Sequence, residues 1–210
     1  MCSALDKLVQ IGGDPLGVRT DYALLSRVFG EPSGLEDLFH KKNGFYAFGS
    51  ALRVFPMMSN GEEVGLIEWN SADLWKSSYA PDMVSNTLFF AEDVFGGQFC
   101  IRNGEFYSFD PETAEYQFLA EDLEGWAAGI LADFNYLTGY EVALVWQHQH
   151  YTIPAGKRLV PKLPFILGGD YVVENLVAVN QAESMRFRGN LACQIHELPD
   201  GAKVDIKITE

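Results

Sequence analysis

The sequence has few cysteines and no long apolar run. Three cysteines, Cys2, Cys100 and Cys193, lie far apart in the 210 residues and lack the spacing of metal ligands. Such an odd and sparse set is typical of a reducing compartment. No apolar run reaches the roughly 18 residues that a membrane-spanning helix needs. The N-terminus lacks the basic segment and following apolar segment of a secretory signal. We therefore expect a cytoplasmic protein that does not enter a membrane.

Positive charge is scarce as well. Fifteen Lys and Arg residues stand against 29 Asp and Glu residues, which gives a formal net charge of -14. Because binding to phosphates requires clustered Lys and Arg, we do not expect nucleic acid as a direct partner. An acidic surface favours solubility and speeds the encounter with a basic protein. Solubility alone explains the charge equally well.

Common catalytic and metal-binding motifs are missing. The sequence has no G-x-S-x-G motif and no glycine-rich phosphate-binding loop. His148 and His150 form H-x-H, but this segment is predicted as a helix end, where residues two apart diverge. We therefore predict no metal and no cofactor. Several carboxylates could form an acid–base pair, although such residues more often cap turns, and so we predict that the protein is not an enzyme. They are Glu92, Asp93, Asp110, Glu112 and Glu115.

The segment from Thr87 to Tyr140 has the clearest secondary-structure pattern. Runs of strand composition are separated by turn residues, and Asn103-Gly104 is a strong hairpin signal. Apolar residues then recur at helical spacing from Leu123 to Leu137, which predicts one helix capped by Asp122 and ended by Gly139. The strand-like runs are 88–90, 98–101, 106–109 and 116–118. This pattern predicts an α+β fold, in which a mainly antiparallel sheet is flanked by helices.

The composition changes after residue 150, where Pro and Gly become frequent. We therefore predict a domain over residues 1–150 and a C-terminal extension over 151–210. The extension has a helical pattern after Asn180, and its strand-like runs are 165–167, 171–173, 176–179 and 204–208. Because so short a segment is small for a core of its own, we expect it to pack on the main domain.

The tryptophans can be assigned either to the core or to a binding surface. Trp126 lies on the apolar stripe of the predicted helix, so we assign it to the core. Trp69 and Trp75 lie near the ends of predicted elements. A tryptophan at such a place can pack in the core or can dominate the binding energy of an interface.

The run FFAEDVFGGQF at residues 89–99 resembles the central signature of the SUKH superfamily. This superfamily includes fungal cell-wall-assembly regulators and many bacterial immunity proteins. The similarity covers roughly residues 35–140, and the tail resembles a C-terminal region of some bacterial members. The other stretches that agree are 43–48, 107–113, 123–126 and 137–140, with 158–162, 164–169 and 198–201 in the tail.

The resemblance implies a SUKH-like α+β fold and a binding role without chemistry. Bacterial members commonly neutralise a cognate toxin, often a nuclease or deaminase. We therefore expect an immunity protein that binds a basic toxin domain and occludes its active site. A regulatory scaffold for cellular proteins is the alternative. A third possibility, an enzyme or small-ligand binder, would need a deep pocket with convergent polar groups of perturbed ionisation.

The expected contact residues are acidic and aromatic side chains on the exposed face of the sheet and the loops around it. They are Glu92, Asp93, Asp110, Glu112, Trp69 and Trp75. We expect Asp93 to bond backbone N–H groups in its turn. Many members of the superfamily carry Gly-Asn where this chain has Gly96-Gly97, so Gly97 offers no side chain for a contact. The motif residues expected to be structural are Phe95, Gly96, Gly97, Trp126 and Gly139.

Overall fold

The protein has the predicted α+β fold. A computed structural model describes residues 2–19, 21, 23–30, 34–196, 198–199 and 201–202. The helices are α1 (Ala4–Ile11), α2 (Ala23–Phe29), α3 (Leu35–Lys41), α4 (Leu66–Trp69), α5 (Pro81–Val84), α6 (Leu123–Ala132), α7 (Phe134–Thr138), α8 (Tyr140–His150) and α9 (Gln181–Ile195). The strands are β1 (Phe45–Ala47), β2 (Leu52–Val54), β3 (Thr87–Glu92), β4 (Gln98–Arg102), β5 (Glu105–Phe109), β6 (Tyr116–Ala120), β7 (Lys157–Pro161) and β8 (Leu176–Asn180). Short 3₁₀ turns cover Lys76–Ser78, Phe165–Leu167 and Val173–Asn175.

Strands β1 to β6 form one antiparallel sheet in which every strand pairs with its neighbour in sequence. The predicted strands in the centre of the chain are thus confirmed. Asn103 and Gly104, with φ of 53° and 86°, form the predicted tight turn between β4 and β5. Positive φ at both central residues matches the right-handed twist of the flanking strands, and Asn-Gly adopts it at low cost.

Helical segments cover both faces of this sheet. Gln98 and Phe99 are consecutive in β4, so their side chains point to opposite faces. Gln98 accepts a hydrogen bond from Trp69 Nε1 at 2.8 Å, whereas the Phe99 ring contacts Trp126 of α6, with centroids 5.8 Å apart. Trp126 is fully buried, which confirms its assignment to the core. Among the described helices, none is long and apolar enough to cross a membrane.

The predicted single helix from Leu123 to Leu137 is in fact two helices. Asp122 caps α6 as predicted, because its Oδ1 accepts the Gly125 N–H at 2.7 Å. At Asp133 the backbone leaves the helical region, with φ of -140° and ψ of 49°. Its side chain accepts the Tyr136 N–H and starts α7. Aspartate competes in this way with the helical hydrogen bonds of its own backbone, and an apolar stripe does not report such a break.

The C-terminal extension packs on the main domain, as expected. Its residues Leu159 and Leu176 share a buried cluster with Val94 and Trp146. Strand β8 and helix α9 were predicted, whereas β7, which pairs with β8, was not. The predicted strands at 165–167 and 171–173 are wrong, because the chain there turns between Pro164 and Gly168 and then forms a 3₁₀ turn from Val173. The last predicted strand, 204–208, lies outside the described residues.

Candidate functional site

The structure places two of the predicted contact residues inside the core. Trp69 and Trp75 are both fully buried. Their rings lie 5.6 Å apart, and Trp75 also packs edge-on against Phe89 of β3. The short segments around these tryptophans cover one face of the sheet, and a ring of this size contributes most by filling that layer. The prediction that they face a partner is therefore wrong.

Glu92 is also fully buried, so the prediction of a contact there is wrong as well. Its Oε1 accepts from Arg158 Nε at 2.7 Å and from Arg53 Nη1 at 3.1 Å. Arg53 also pairs with Glu63 at 2.6 Å and donates to Gln181 of α9. Two arginines and two glutamates thus compensate one another, as buried charges must. This network joins β2 and β3 to β7 and α9.

An open cleft of about 420 Å³ lies at one end of the sheet. This is the end at which β3 leads into β4 through residues 93–97 and at which β5 leads into β6 through residues 110–115. The junction of α7 and α8 and the C-terminal extension form the other walls. The charged and aromatic side chains that line it include Asp93, Phe95, Asp110, Glu112, Tyr136, Tyr171 and Arg188. Three of the six predicted contact residues, Asp93, Asp110 and Glu112, therefore meet in one place.

The signature loop at residues 93–97 is held by its own aspartate. Asp93 Oδ1 accepts the N–H groups of Phe95 and Gly97 at 2.7 and 2.8 Å, which confirms the predicted turn. A Cβ atom at Gly97 would lie 2.4 Å from Asp93 Oδ2. A residue other than glycine would therefore press on the carboxylate that holds the loop.

Two further motif glycines make room for larger groups. Gly139 ends α7 with φ of 71°, and a Cβ atom there would lie 2.4 Å from the Phe95 ring. Gly96 has φ of 79°, and a Cβ atom there would lie 2.6 Å from Arg188 Nη2. Glycine is the one residue that meets both the positive φ and the close contact without strain. The structural role predicted for this motif agrees with the geometry.

Arg188 of α9 lies at the inner side of the cleft and is only 3% exposed. Its Nη1 donates to the carbonyl oxygen of Phe95 at 2.8 Å. Among the described residues, no carboxylate lies within 4.0 Å of its guanidinium. Asp93 and Glu112 are nevertheless close enough for its charge to lower their pKa values. Sequence reasoning missed Arg188, although a charged residue between Met185 and Ala192 on an apolar helical stripe is a signal of a buried partner.

Burial raises the pKa values of two carboxyl groups in the cleft. Desolvation raises the pKa of Asp93 to about 7, against the lowering effect of its backbone hydrogen bonds and of Arg188. Desolvation also raises the pKa of Glu112, which is 3% exposed. Glu112 Oε2 accepts the Ile166 N–H at 2.9 Å, whereas its Oε1 has no hydrogen-bond partner among the described residues. The prediction that Glu112 is an exposed contact is wrong, because the side chain is buried against Ile166 of the extension at the inner side of the cleft.

Asp110 is the exposed carboxylate of the cleft. Its Oδ1 accepts the Glu112 N–H at 2.7 Å, which fixes the turn after β5. Its side chain is exposed, and no described residue donates to its other oxygen. Of the six predicted contact residues, Asp110 is thus the one whose position suits a direct contact.

Aromatic rings form the outer wall of the cleft. Tyr171 stacks on Phe165 with centroids 3.7 Å apart, and Phe95 meets both rings edge-on. Tyr171 is 58% exposed and Tyr136 is 77% exposed, so both present rings to solvent. These tyrosines were not predicted, because their places in the sequence show no periodicity that points to a shared site.

The cleft can bind, but it holds few groups that could do chemistry. No histidine or cysteine lines it. The carboxylates of Asp93 and Glu112 already accept backbone N–H groups. Across the part of the chain that the structure describes, no group of three His, Cys, Asp or Glu side chains is placed to hold a metal ion.

The sequence matches no protein-family model and no curated protein. Its structure is similar to the crystal structure of Atu4351 from Agrobacterium tumefaciens, with a TM-score of 0.57 and 11% sequence identity. The likeness covers 87% of this chain and 86% of that chain. At this identity the comparison shows the fold alone: the chain shares an α+β architecture with that protein over most of both lengths.

Proposed function

We propose that this protein is a cytoplasmic, non-enzymatic immunity protein of the SUKH type. It binds a cognate toxin domain, such as a nuclease or deaminase, and covers the active site. The observation that best supports this is the acidic cleft. The signature loop forms one of its walls, and the exposed Asp110 gives it a negative charge at the surface. A toxin that acts on nucleic acid needs clustered Lys and Arg, and a surface of opposite sign complements them.

The net charge of -14 supports the same proposal at longer range. Opposite charges steer two proteins together and raise their association rate, and salt screens this effect. The expected complex therefore forms fast at low ionic strength and weakens as salt rises. A partner held mainly by apolar contacts would respond little to salt.

A regulatory scaffold and a toxin inhibitor should bind different proteins in a cell lysate. We would use the tagged protein as bait in a lysate of its native cells and identify the bound proteins by mass spectrometry, with the tag alone as control. The salt would be raised so that the Debye length falls from about 30 Å to about 8 Å. One secreted protein with a basic domain, lost as salt rises, supports the proposal. A set of housekeeping proteins supports the scaffold, and an empty bait counts against both.

A small-ligand binder or enzyme is the second candidate, because the cleft holds Asp93 and Glu112 with raised pKa values beside Arg188. Perturbed groups in a cleft often mark functional sites. Here, however, each carboxylate also accepts backbone N–H groups that hold the wall of the cleft, so its burial has a structural explanation. Retention of a toxin by the bait, together with loss of the toxin's activity in the complex, would separate the two candidates.

A further inference from the structure

The cleft combines negative charge with aromatic rings. Three carboxyl groups, those of Asp93, Asp110 and Glu112, line it together with one guanidinium, that of Arg188. The exposed rings of Tyr136 and Tyr171 stand at its outer side. Aromatic faces and carboxylates both attract cations, so the two kinds of group favour the same occupant.

Glu112 gives a second indication that is independent of the surface charge. This side chain is 3% exposed, and its Oε1 has no donor among the described residues. Buried carboxylate oxygens are normally bonded, and one without a donor is costly. A cation brought into the cleft beside Glu112 would compensate this oxygen. The cleft therefore lacks one hydrogen-bond donor, the one that Glu112 Oε1 would accept from.

Arg188 does not make the cleft a site for anions. Its Nη1 is engaged with the Phe95 carbonyl, and its Nη2 is packed beneath Gly96 and faces the Met185 sulfur at 3.7 Å. The Asp110 carboxylate is exposed, whereas the guanidinium is as buried as Glu112, so a charged group that enters the cleft meets Asp110 first. The balance of charges therefore favours a cation.

We propose that the cleft receives an arginine side chain of the partner protein, which would pair with Asp110 and lie against the exposed ring of Tyr171. This inference rests on the proposed function, since it names how the same site recognises its partner. Arginine suits the site better than lysine, because its planar guanidinium pairs with carboxylates through several donors and stacks on aromatic faces. The volume of about 420 Å³ admits one long side chain and the backbone next to it.

The test uses short blocked peptides and the full chain labelled with ¹⁵N. Acetyl-Gly-Arg-Gly-amide is titrated into the protein while its amide resonances are followed by NMR, beside the same peptide with lysine or with citrulline. We expect the arginine peptide to shift the amide resonances of residues 93–97, 110 and 112. Lysine should bind several-fold more weakly, and citrulline, which keeps the shape without the charge, should give no saturable shift.

Two variants and one control locate the contact. Asp110→Asn keeps an oxygen for the Glu112 N–H but removes the charge, and it should weaken arginine-peptide binding by roughly tenfold. Tyr171→Ala should weaken it by a few-fold. Asp73→Asn makes the same charge change at an exposed residue outside the cleft and should leave the affinity unchanged. Circular dichroism checks that all three remain folded.

Several results would overturn the inference. One is equal binding of the citrulline and arginine peptides, and another is an equal loss in Asp73→Asn and Asp110→Asn. Tighter binding of free arginine than of the blocked peptide would point to a small-molecule ligand instead. If the bait retains a toxin equally well with and without Asp110→Asn and Tyr171→Ala, the arginine contact fails while the proposed function stands. If the bait retains no toxin but the peptide binds as expected, the proposed function fails and the cation site remains.

Discussion

Gly139 shapes the cleft by giving the Phe95 ring a place to pack. Its φ of 71° and the 2.4 Å distance from a Cβ atom there to the ring leave no room for a side chain. Gly139→Ala should therefore lower the free energy of unfolding by about 1–3 kcal/mol, because the backbone is strained and the ring must move. Urea unfolding followed by circular dichroism measures this change.

Gly129 provides the matched control for that substitution. It lies inside α6, it is exposed, and nothing lies within 4 Å of a Cβ atom built there. Alanine is the better helix former, so Gly129→Ala should raise the free energy of unfolding by about 0.5–1 kcal/mol. Equal changes in the free energy of unfolding for the two substitutions would show that close packing at Gly139 does not contribute to stability.

The raised pKa of Asp93 leads us to expect that the stability of the fold depends on pH. Burial raises its pKa from 3.8 to about 7, so the folded chain binds this proton more tightly than the unfolded chain does. Its contribution to stability is complete below about pH 4 and is lost as pH rises through about 7. The charged groups that affect it are Arg188, which opposes the shift, and Glu92, which adds to it; the charge of Asp93 in turn raises the pKa of Tyr171.

Asp93→Asn tests this prediction, because an amide oxygen can still accept the N–H groups of Phe95 and Gly97 but does not titrate. We would measure urea unfolding of both proteins from about pH 4 to 8. The stability difference between wild type and variant should change across this range, with wild type losing relative stability as pH rises. Parallel curves would mean that Asp93 is ionised in the folded protein throughout. Glu112 titrates in both proteins and so cancels in the difference.

For single residues, local hydrogen bonds could be predicted from the sequence, whereas burial could not. The turn bonds of Asp93 and the cap of Asp122 were predictable, because each aspartate bonds backbone groups a few residues away. The burial of Glu112 was not, because it depends on Ile166, which lies 54 positions later in the chain. Trp69 and Trp75 illustrate the same limit: a residue near the end of a short element carries no pattern that says which side is covered.

At the scale of elements, the Glu92 network fixes the extension to the sheet. Glu92 is shared by Arg53 of β2 and Arg158 of β7, both buried. Glu92→Ala leaves two guanidinium groups with less compensation inside the protein and should lower the free energy of unfolding by about 3–5 kcal/mol. Thermal and urea unfolding would measure the loss.

An exposed ion pair serves as the control for this prediction. Arg27 and Asp21 lie 2.8 Å apart, and both side chains are about two-thirds exposed, at 66% and 68%. Arg27→Ala should change stability by less than about 1 kcal/mol, because exposed pairs contribute little. A small effect of Glu92→Ala, similar to that of Arg27→Ala, would mean that the buried arginines find other partners or water.

Elements bounded by strong turn signals were predictable, and elements set by long-range contacts were not. The meander β3 to β6 follows from apolar runs and the Asn103-Gly104 turn. The break at Asp133 needed knowledge of one side-chain bond. Strand β7 was missed because its place is set by pairing with β8 and by a hydrogen bond from Leu159 N to the carbonyl of Val94, 65 positions earlier in the chain, at 2.8 Å.

At the scale of the whole molecule, the main domain and the extension share one buried layer. Val94, Trp146 and Ala51 pack with Leu159 and Leu176. A chain ending at residue 150 would expose this layer and remove Arg158 from Glu92. We expect this shortened chain to unfold at a lower denaturant concentration and with less cooperativity than the full chain, and to bind a hydrophobic dye. Unfolding that matches the full chain would show that residues 1–150 are independent.

The shared glutamate also limits how such proteins can be recombined. A tail taken from a related protein could supply strands and a helix of the right lengths and still fail, unless it brought a cation to the place of Arg158. A sheet without the carboxylate of Glu92 would also fail to accept the native tail, because Arg158 would then be buried without a compensating charge. We therefore expect chimeras to fold only where the sheet keeps this acid and the tail keeps a cation to pair with it.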